Sequence, residues 1–586
     1  MNKEWSLDVL YKGYDDIKYT EDRKRFEQLT KEMTDLCNEL NMSDTSEEDK
    51  LLKAVNYLEE YKVLGSKIGY YVTLRQSVNT TDSMTANEMS SFERQFSLFS
   101  KPIAMIQKFI AGIQAMESYY EKYPKLKAYE YLFTEFKKES YYLLSDDVED
   151  VIGKLNVSAG SAWGSMQSFL TSTLEVEYRD NVITLPEVRN KAYSEDAEVR
   201  KDAYAAELKA YEKIKDAISY SLNNIKTQVN TICELRGYES PLAMTLMQSK
   251  MKQETLDAML EAIQDTLPSF HKYLKHKAKI MGHRGGLPWY DLFAPIGEST
   301  TQFTIEDSKD YLVTHFRGFS DDLADMVAEA YDNEWIDFYP RKGKVGGAFC
   351  ENIPFVKQSR ILTNFTGTFS DVVTLAHELG HAYHGLNIQD HLPLNVDYSM
   401  PVAETASTFN EALIMEAAIK ETTGREKLAL IESQLQDVTQ IICDIYSRFL
   451  FESAVFEKSK TGFLFADELK EMMLDAQKEA YGDGLDHDYL HPYMWVLKGH
   501  YYSESLSFYN FPYAFGGLLA RGLYEKYKTG GKDFIPKYKA LLKATTVMSV
   551  EDAAMEAEID LENPDFWRTS LRTVEDLIEE FIRLAE

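Results

Sequence analysis

A mostly α-helical fold with one small β element is what this sequence predicts, and three observations carry the reading. Apolar residues recur at helical spacing through most of the chain. Only two stretches alternate at strand spacing or break on glycines. No fixed-period repeat or low-complexity linker interrupts the pattern.

In chain order, the charged amphipathic runs at 20–155 and 410–480 read as helices. Leu174, Val176 and Tyr178 alternate with polar residues, and Asp180-Asn181 then leads into Val182-Ile-Thr-Leu185, which predicts a β-hairpin near 172–185. Asp196 to Arg236, rich in Ala, Lys, Glu and Leu, is helical and meets a stop at Gly237. Between Glu254 and Pro268, Leu256, Met259, Leu260, Ile263 and Leu267 share one helical face. Residues 284–304, with Gly285-Gly286, Pro288 and Pro295, form a loop. From Asp337 to Thr368, Gly343, Gly346 and Gly347 break up a second loop, after which Arg360, Ile361, Leu362, Thr363, Asn364 and Phe365 read as a strand.

Composition excludes several function classes. At 586 residues the chain suits a large domain or a few closely packed ones. A formal charge of −31 argues against a nucleic-acid partner, because phosphate binding needs clustered Lys and Arg. The acidity aids solubility, or an acidic interior channel favours cationic substrates; charge alone does not separate the two. Charges in Met1-Asn-Lys-Glu-Trp-Ser-Leu-Asp interrupt any signal-peptide core, and no stretch reaches about 18 uncharged apolar residues. Cys37, Cys233, Cys350 and Cys443 lie far apart without metal-ligand spacing, so buried free thiols are expected. A cytoplasmic protein without a membrane segment fits all of this. The sequence leaves the oligomeric state open, a monomer included.

The chemistry concentrates after the strand, in Ser370-Asp-Val-Val-Thr-Leu-Ala-His377-Glu378-Leu-Gly-His381. Ser370 or Asp371 can cap a helix there. His377 and His381, at i and i+4, then offer imidazoles to one ion, while Glu378 sits about 100° around the axis, within reach of metal-bound water. A catalytic zinc wants a third protein ligand and one open position. Glu404, after Met400-Pro401, supplies that ligand from a second helix, and Glu411, two turns on, can hydrogen-bond a ligand histidine. His384 continues the face of His381 and reads as a second-shell or substrate-facing histidine. The metzincin spacing is excluded, because its Gly and His positions hold His384 and Asn387.

At these residues the sequence resembles the oligoendopeptidase F branch of the M3 (thimet oligopeptidase-like) metallopeptidases. The resemblance rests on Gly346-Gly347-Ala-Phe-Cys350, Asn364-Phe-Thr-Gly-Thr, Thr374-Leu-Ala-His-Glu-Leu-Gly-His381, Glu404-Thr-Ala-Ser-Thr-Phe-Asn-Glu411 and Phe508-Tyr-Asn-Phe-Pro-Tyr-Ala-Phe-Gly516. It implies a two-lobed helical molecule with a deep substrate channel, residues 1–195 forming an N-terminal lobe and 196–586 the catalytic domain. One zinc ion per chain and oligopeptide substrates are implied as well. An edge strand beside the metal helix would bind extended peptide; Arg360–Phe365 is the candidate, with Gly346 and Gly347 beside it. Tyr513, assisted by His500 or Tyr509, matches the groups that steady the oxyanion. A metallocarboxypeptidase of similar fold, or a helical binding protein with structural zinc, are the rival readings; Glu378 and the lack of a fourth ligand speak against the latter.

Overall fold

Helices account for nearly all regular structure in the computed structural model, which describes residues 3–40, 45–297 and 301–586. Parts of the chain start, the 20–155 run and the 284–304 loop lie outside those residues. Local chemistry sets the helix ends. Glu47–Val78 begins where the Ser46 side chain accepts from Asp49 N, with Glu47, Glu48 and Asp49 in its first turn. Lys215–Arg236 stops at Gly237, whose φ of 82° is costly for other residues. Gln253–Ile280 buries Leu256, Met259, Ile263 and Leu267 and runs on through Pro268.

Two apolar cores form. The smaller draws on Trp5 to Phe133 and takes Ile353 and Leu362 from downstream. The larger runs from Leu174 to Phe581. The hairpin pairs β1 (Glu175–Tyr178) with β2 (Asn181–Thr184) through a turn with Arg179 at φ 51°. Its Val176 and Tyr178 belong to the larger core.

A second, three-stranded sheet stands between the cores in the order β3 (Ile336–Asp337), β5 (Gln358–Leu362), β4 (Phe349–Ile353). β3 is parallel to β5 and β4 antiparallel to it. Side chains alternate across a strand, so Ile361 enters the larger core and Leu362 the smaller. This arrangement corrects the expectation for Arg360–Phe365. That segment is central rather than an edge, because Trp335, Asp337 and Phe338 carbonyls accept from Ile361, Thr363 and Phe365 on one side and β4 pairs on the other. Arg360, Ile361, Leu362, Thr363 and Phe365 are buried, and Arg360 donates to the carbonyls of Ser6 (2.6 Å) and Ser359 (2.7 Å). Asn364 anchors the glycine loop through the Val345 and Gly347 carbonyls, at 3.0 and 2.8 Å. The edge strands are β3 and β4, neither of which sequence patterning revealed.

Among the described residues no helix is long and apolar enough to cross a membrane. All four cysteines are free thiols. Lys226 and Glu452 pair at 2.6 Å with each side chain only 1% exposed, tying helix Lys215–Arg236 to Ile445–Ser459. Removing one partner strands a buried charge, so Lys226→Met should cost about 3–5 kcal/mol, and adding Glu452→Met should recover much of it. Urea melts of both variants check this.

Candidate metal centre

Two helices and their close approach build the site. The first, Phe369–Ile388, carries the histidine motif and starts in a capping box between Thr368 and Asp371. Thr368 is thus the N-cap, rather than Ser370 or Asp371, and Asp371 Oδ2 accepts from the backbone of Thr366 (3.0 Å) and Thr368 (2.9 Å). Glu404 lies at a break, after the turn Met400–Ala403 and just before helix Thr405–Glu421. The two helices touch at Gly380, where a Cβ would stand 2.5 Å from both the Ala406 carbonyl oxygen and Ser407 Cα. Only glycine fits there.

This packing gathers His377, His381 and Glu404 into one cluster. His377 Nε2 lies 3.2 Å from His381 Nε2 and 3.2 Å from Glu404 Oε2, and His381 Nε2 lies 3.4 Å from that oxygen. A tetrahedral ion with bonds of about 2.0–2.1 Å holds neighbouring donors about 3.3 Å apart, so the three atoms fit zinc, with one position left open. Around them, Glu411 Oε1 meets His377 Nδ1 at 2.7 Å, leaving Nε2 for the metal. Ser407 Oγ donates to Glu404 Oε2 at 2.8 Å, and Asn352 Nδ2 donates to the His381 carbonyl at 3.1 Å. Neither Ser407 nor Asn352 was singled out from sequence. Ser407 sits one turn after Glu404 and was discoverable by spacing; Asn352 comes from β4 and was not.

Charge at the site calls for a cation. Burial opposes protonation of His377, but the hydrogen bonds its imidazolium donates to the Glu404 and Glu411 carboxylates outweigh it and push its pKa up to about 10. For Glu404, burial is overcome by the two histidines, which hold its carboxyl well below the usual range. Glu378 is 5% exposed; burial raises its pKa against the pull of His377 and His381.

The remaining sequence candidates divide. Tyr513, 39% exposed, starts the helix Phe511–Gly530 and places its hydroxyl 3.4 Å from that of Tyr509. Tyr509 stacks on His500 with ring centres 4.7 Å apart. Gly516 on the same helix lets it close on the metal ligand, since a Cβ there would be 3.0 Å from Glu404 Cβ. Among the described residues His384 makes no hydrogen bond to the ligands. It is fully buried, stacked on Tyr398 at 4.1 Å and bonded to Thr545 Oγ1 at 2.9 Å, because its side of the helix faces the core rather than the cluster.

Three outcomes follow. Gly380→Ala should force the helices apart, costing about 1–3 kcal/mol and weakening zinc binding, as thermal melts and competitive chelation would register. Glu411→Gln should weaken zinc by about 10–100-fold. Zinc needs neutral imidazole, and His377 without metal holds its proton below about pH 10. Binding at pH 7 should therefore release a proton, and affinity should fall as pH is lowered, which calorimetry in buffers of different ionisation enthalpy measures.

The family model "Peptidase family M3" matches residues 191–573, and "Oligopeptidase F" matches 112–175. The chain is 24% identical to oligopeptidase PepF of Bacillus subtilis, over 92% of this chain and 81% of that protein. It is 25% identical to an oligoendopeptidase F homolog of Lactococcus lactis subsp. lactis, over 95% and 94%. The crystal structure of oligoendopeptidase-F from Enterococcus faecium superposes with a TM-score of 0.71 at 16% identity, covering 96% of this chain and 99% of that one. The chain belongs to peptidase family M3, the metallopeptidases, in its oligoendopeptidase F branch.

Proposed function

We propose that the chain hydrolyses internal peptide bonds of short, unstructured peptides at one zinc ion held by His377, His381 and Glu404. The observation that carries this reading is the mutual spacing of the three ligand atoms, 3.2, 3.2 and 3.4 Å, with a buried carboxylate, Glu378, on the same helix. Zinc held there would lower the pKa of its water and polarise a scissile carbonyl.

The chain's own groups supply the rest. Glu378 accepts the water's proton and returns it to the leaving amine; burial raises its pKa, which makes it a stronger base than a solvated carboxylate. The Tyr513 hydroxyl, with Tyr509 and His500 behind it, donates to the oxyanion. Substrate backbone pairs with the outer edge of β4, whose Cys350 and Asn352 share the face toward the metal helix. Strand addition reads backbone, so side-chain selectivity is modest and extended peptides are preferred over folded proteins.

The test is a mixed peptide pool incubated with wild type and with Glu378→Gln, the products read by mass spectrometry. Internal cuts by wild type alone support the reading; stepwise C-terminal trimming would replace it with a carboxypeptidase. Glu378→Gln should keep zinc while losing turnover. Tyr513→Phe should lower kcat by about 10²–10³ with little change in KM.

A further inference from the structure

A cavity of about 270 Å³ opens between helix Thr405–Glu421, helix Gly424–Thr439, helix Phe511–Gly530 and the C-terminal helix Pro564–Ala585. Its wall contains four cations, three of them already paired. Lys427 meets Glu580 at 2.7 Å, Lys528 meets Glu525 at 2.8 Å, and Lys420 pairs with Glu416. Arg521, half-buried, makes no hydrogen bond or ion pair among the described residues. The acids whose charge it feels, Glu411 and Asp437, do not line the cavity. In the same wall, among the described residues, the Gln434 Oε1 atom is buried without a hydrogen-bond partner, and Asp576, an exposed residue, has no ion pair.

An unpaired guanidinium and a stranded amide end are both unusual in a protein interior, because each costs free energy until a partner arrives. Guanidinium is complementary to carboxylate, which it binds through two parallel N–H donors. Gln434 Oε1 and Asp576 are acceptors suited to an ammonium group. The volume is slightly below the usual range for drug-sized ligands, so the occupant is small.

From this we infer that the cavity binds a small zwitterion, an α-amino acid or dipeptide, with its carboxylate on Arg521 and its ammonium toward Gln434 and Asp576. That such molecules are the products rests on the proposed peptidase activity; the binding itself does not.

Glycyl-leucine and glycyl-leucinamide are titrated calorimetrically into zinc-loaded Glu378→Gln protein, with the metal centre filled by a phosphinic peptide and with it free. The dipeptide should bind in both states, and the amide should bind about tenfold or more weakly, the scale of a lost charged hydrogen bond. Arg521→Met should erase that preference and Arg521→Lys should keep part of it; if Arg521→Met misfolds, Gln434→Leu tests the other end. The inference fails if no dipeptide binds, if the phosphinic peptide abolishes binding, or if Arg521→Met still prefers the carboxylate. Peptide cleavage without such binding sinks only this site, and binding without cleavage sinks only the proposed reaction.

Discussion

The metal centre depends on how closely two helices can approach. His377 and His381 are correctly spaced by helix geometry alone, but the third donor comes from a separate segment 23 residues on and must be delivered to within about 3.3 Å of both. Gly380 makes that possible, since any side chain there would collide with the backbone at Ala406 and Ser407. The theme repeats on two other sides. Gly385 admits the Asn352 side chain of β4, and Gly516 admits Glu404 to the tyrosine-bearing helix. Three glycines therefore set the distances among four elements, and the chemical groups ride on those distances.

Electrostatics then follow from placement. Glu378, Glu404 and Glu411 crowd two histidines in a half-buried cluster, and in such surroundings unlike charges attract more strongly than in water. The centre is a cation-seeking site before any ion arrives, and His377 meets that demand with a proton. The carboxylate that ligates and the carboxylate meant to act as base are driven in opposite directions by one environment. Glu404 touches both imidazoles and is held ionised, while Glu378, without such contacts, is governed by burial. Position relative to the histidines separates the two roles.

Much of this was legible in the sequence, and the gaps have physical causes. The helical content, the hairpin and the cluster of His377, His381, Glu404 and Glu411 all rest on local periodicity or on motif spacing, which a single chain displays directly. What failed was partner identity. Arg360–Phe365 reads as a strand whether it is an edge or a centre, because strand order depends on β3 and β4, and Ile336–Asp337 is too short to announce itself. β4 is masked by the polar Glu351 and Asn352 within it. His384 lies at a spacing that continues the metal face, yet the helix turns that position toward Tyr398 and Thr545, which come from distant parts of the chain.

The sheet has one further consequence, and it concerns the order of assembly. Lys3 and Ser6 bond to the backbone at Phe338 and Glu334, and Ser6 also receives the Arg360 side chain across 354 residues of sequence. Segments made early thus wait for partners made more than half a chain later. Closing so long a loop costs entropy before any contact repays it, and folds built on distant pairings assemble slowly. The strand edge proposed to hold a peptide pairs locally with β5, but the sheet it belongs to is completed only through these distant contacts. The helix that carries the paired histidines needs no such closure, so the two halves of the proposed site rest on contacts of very different range.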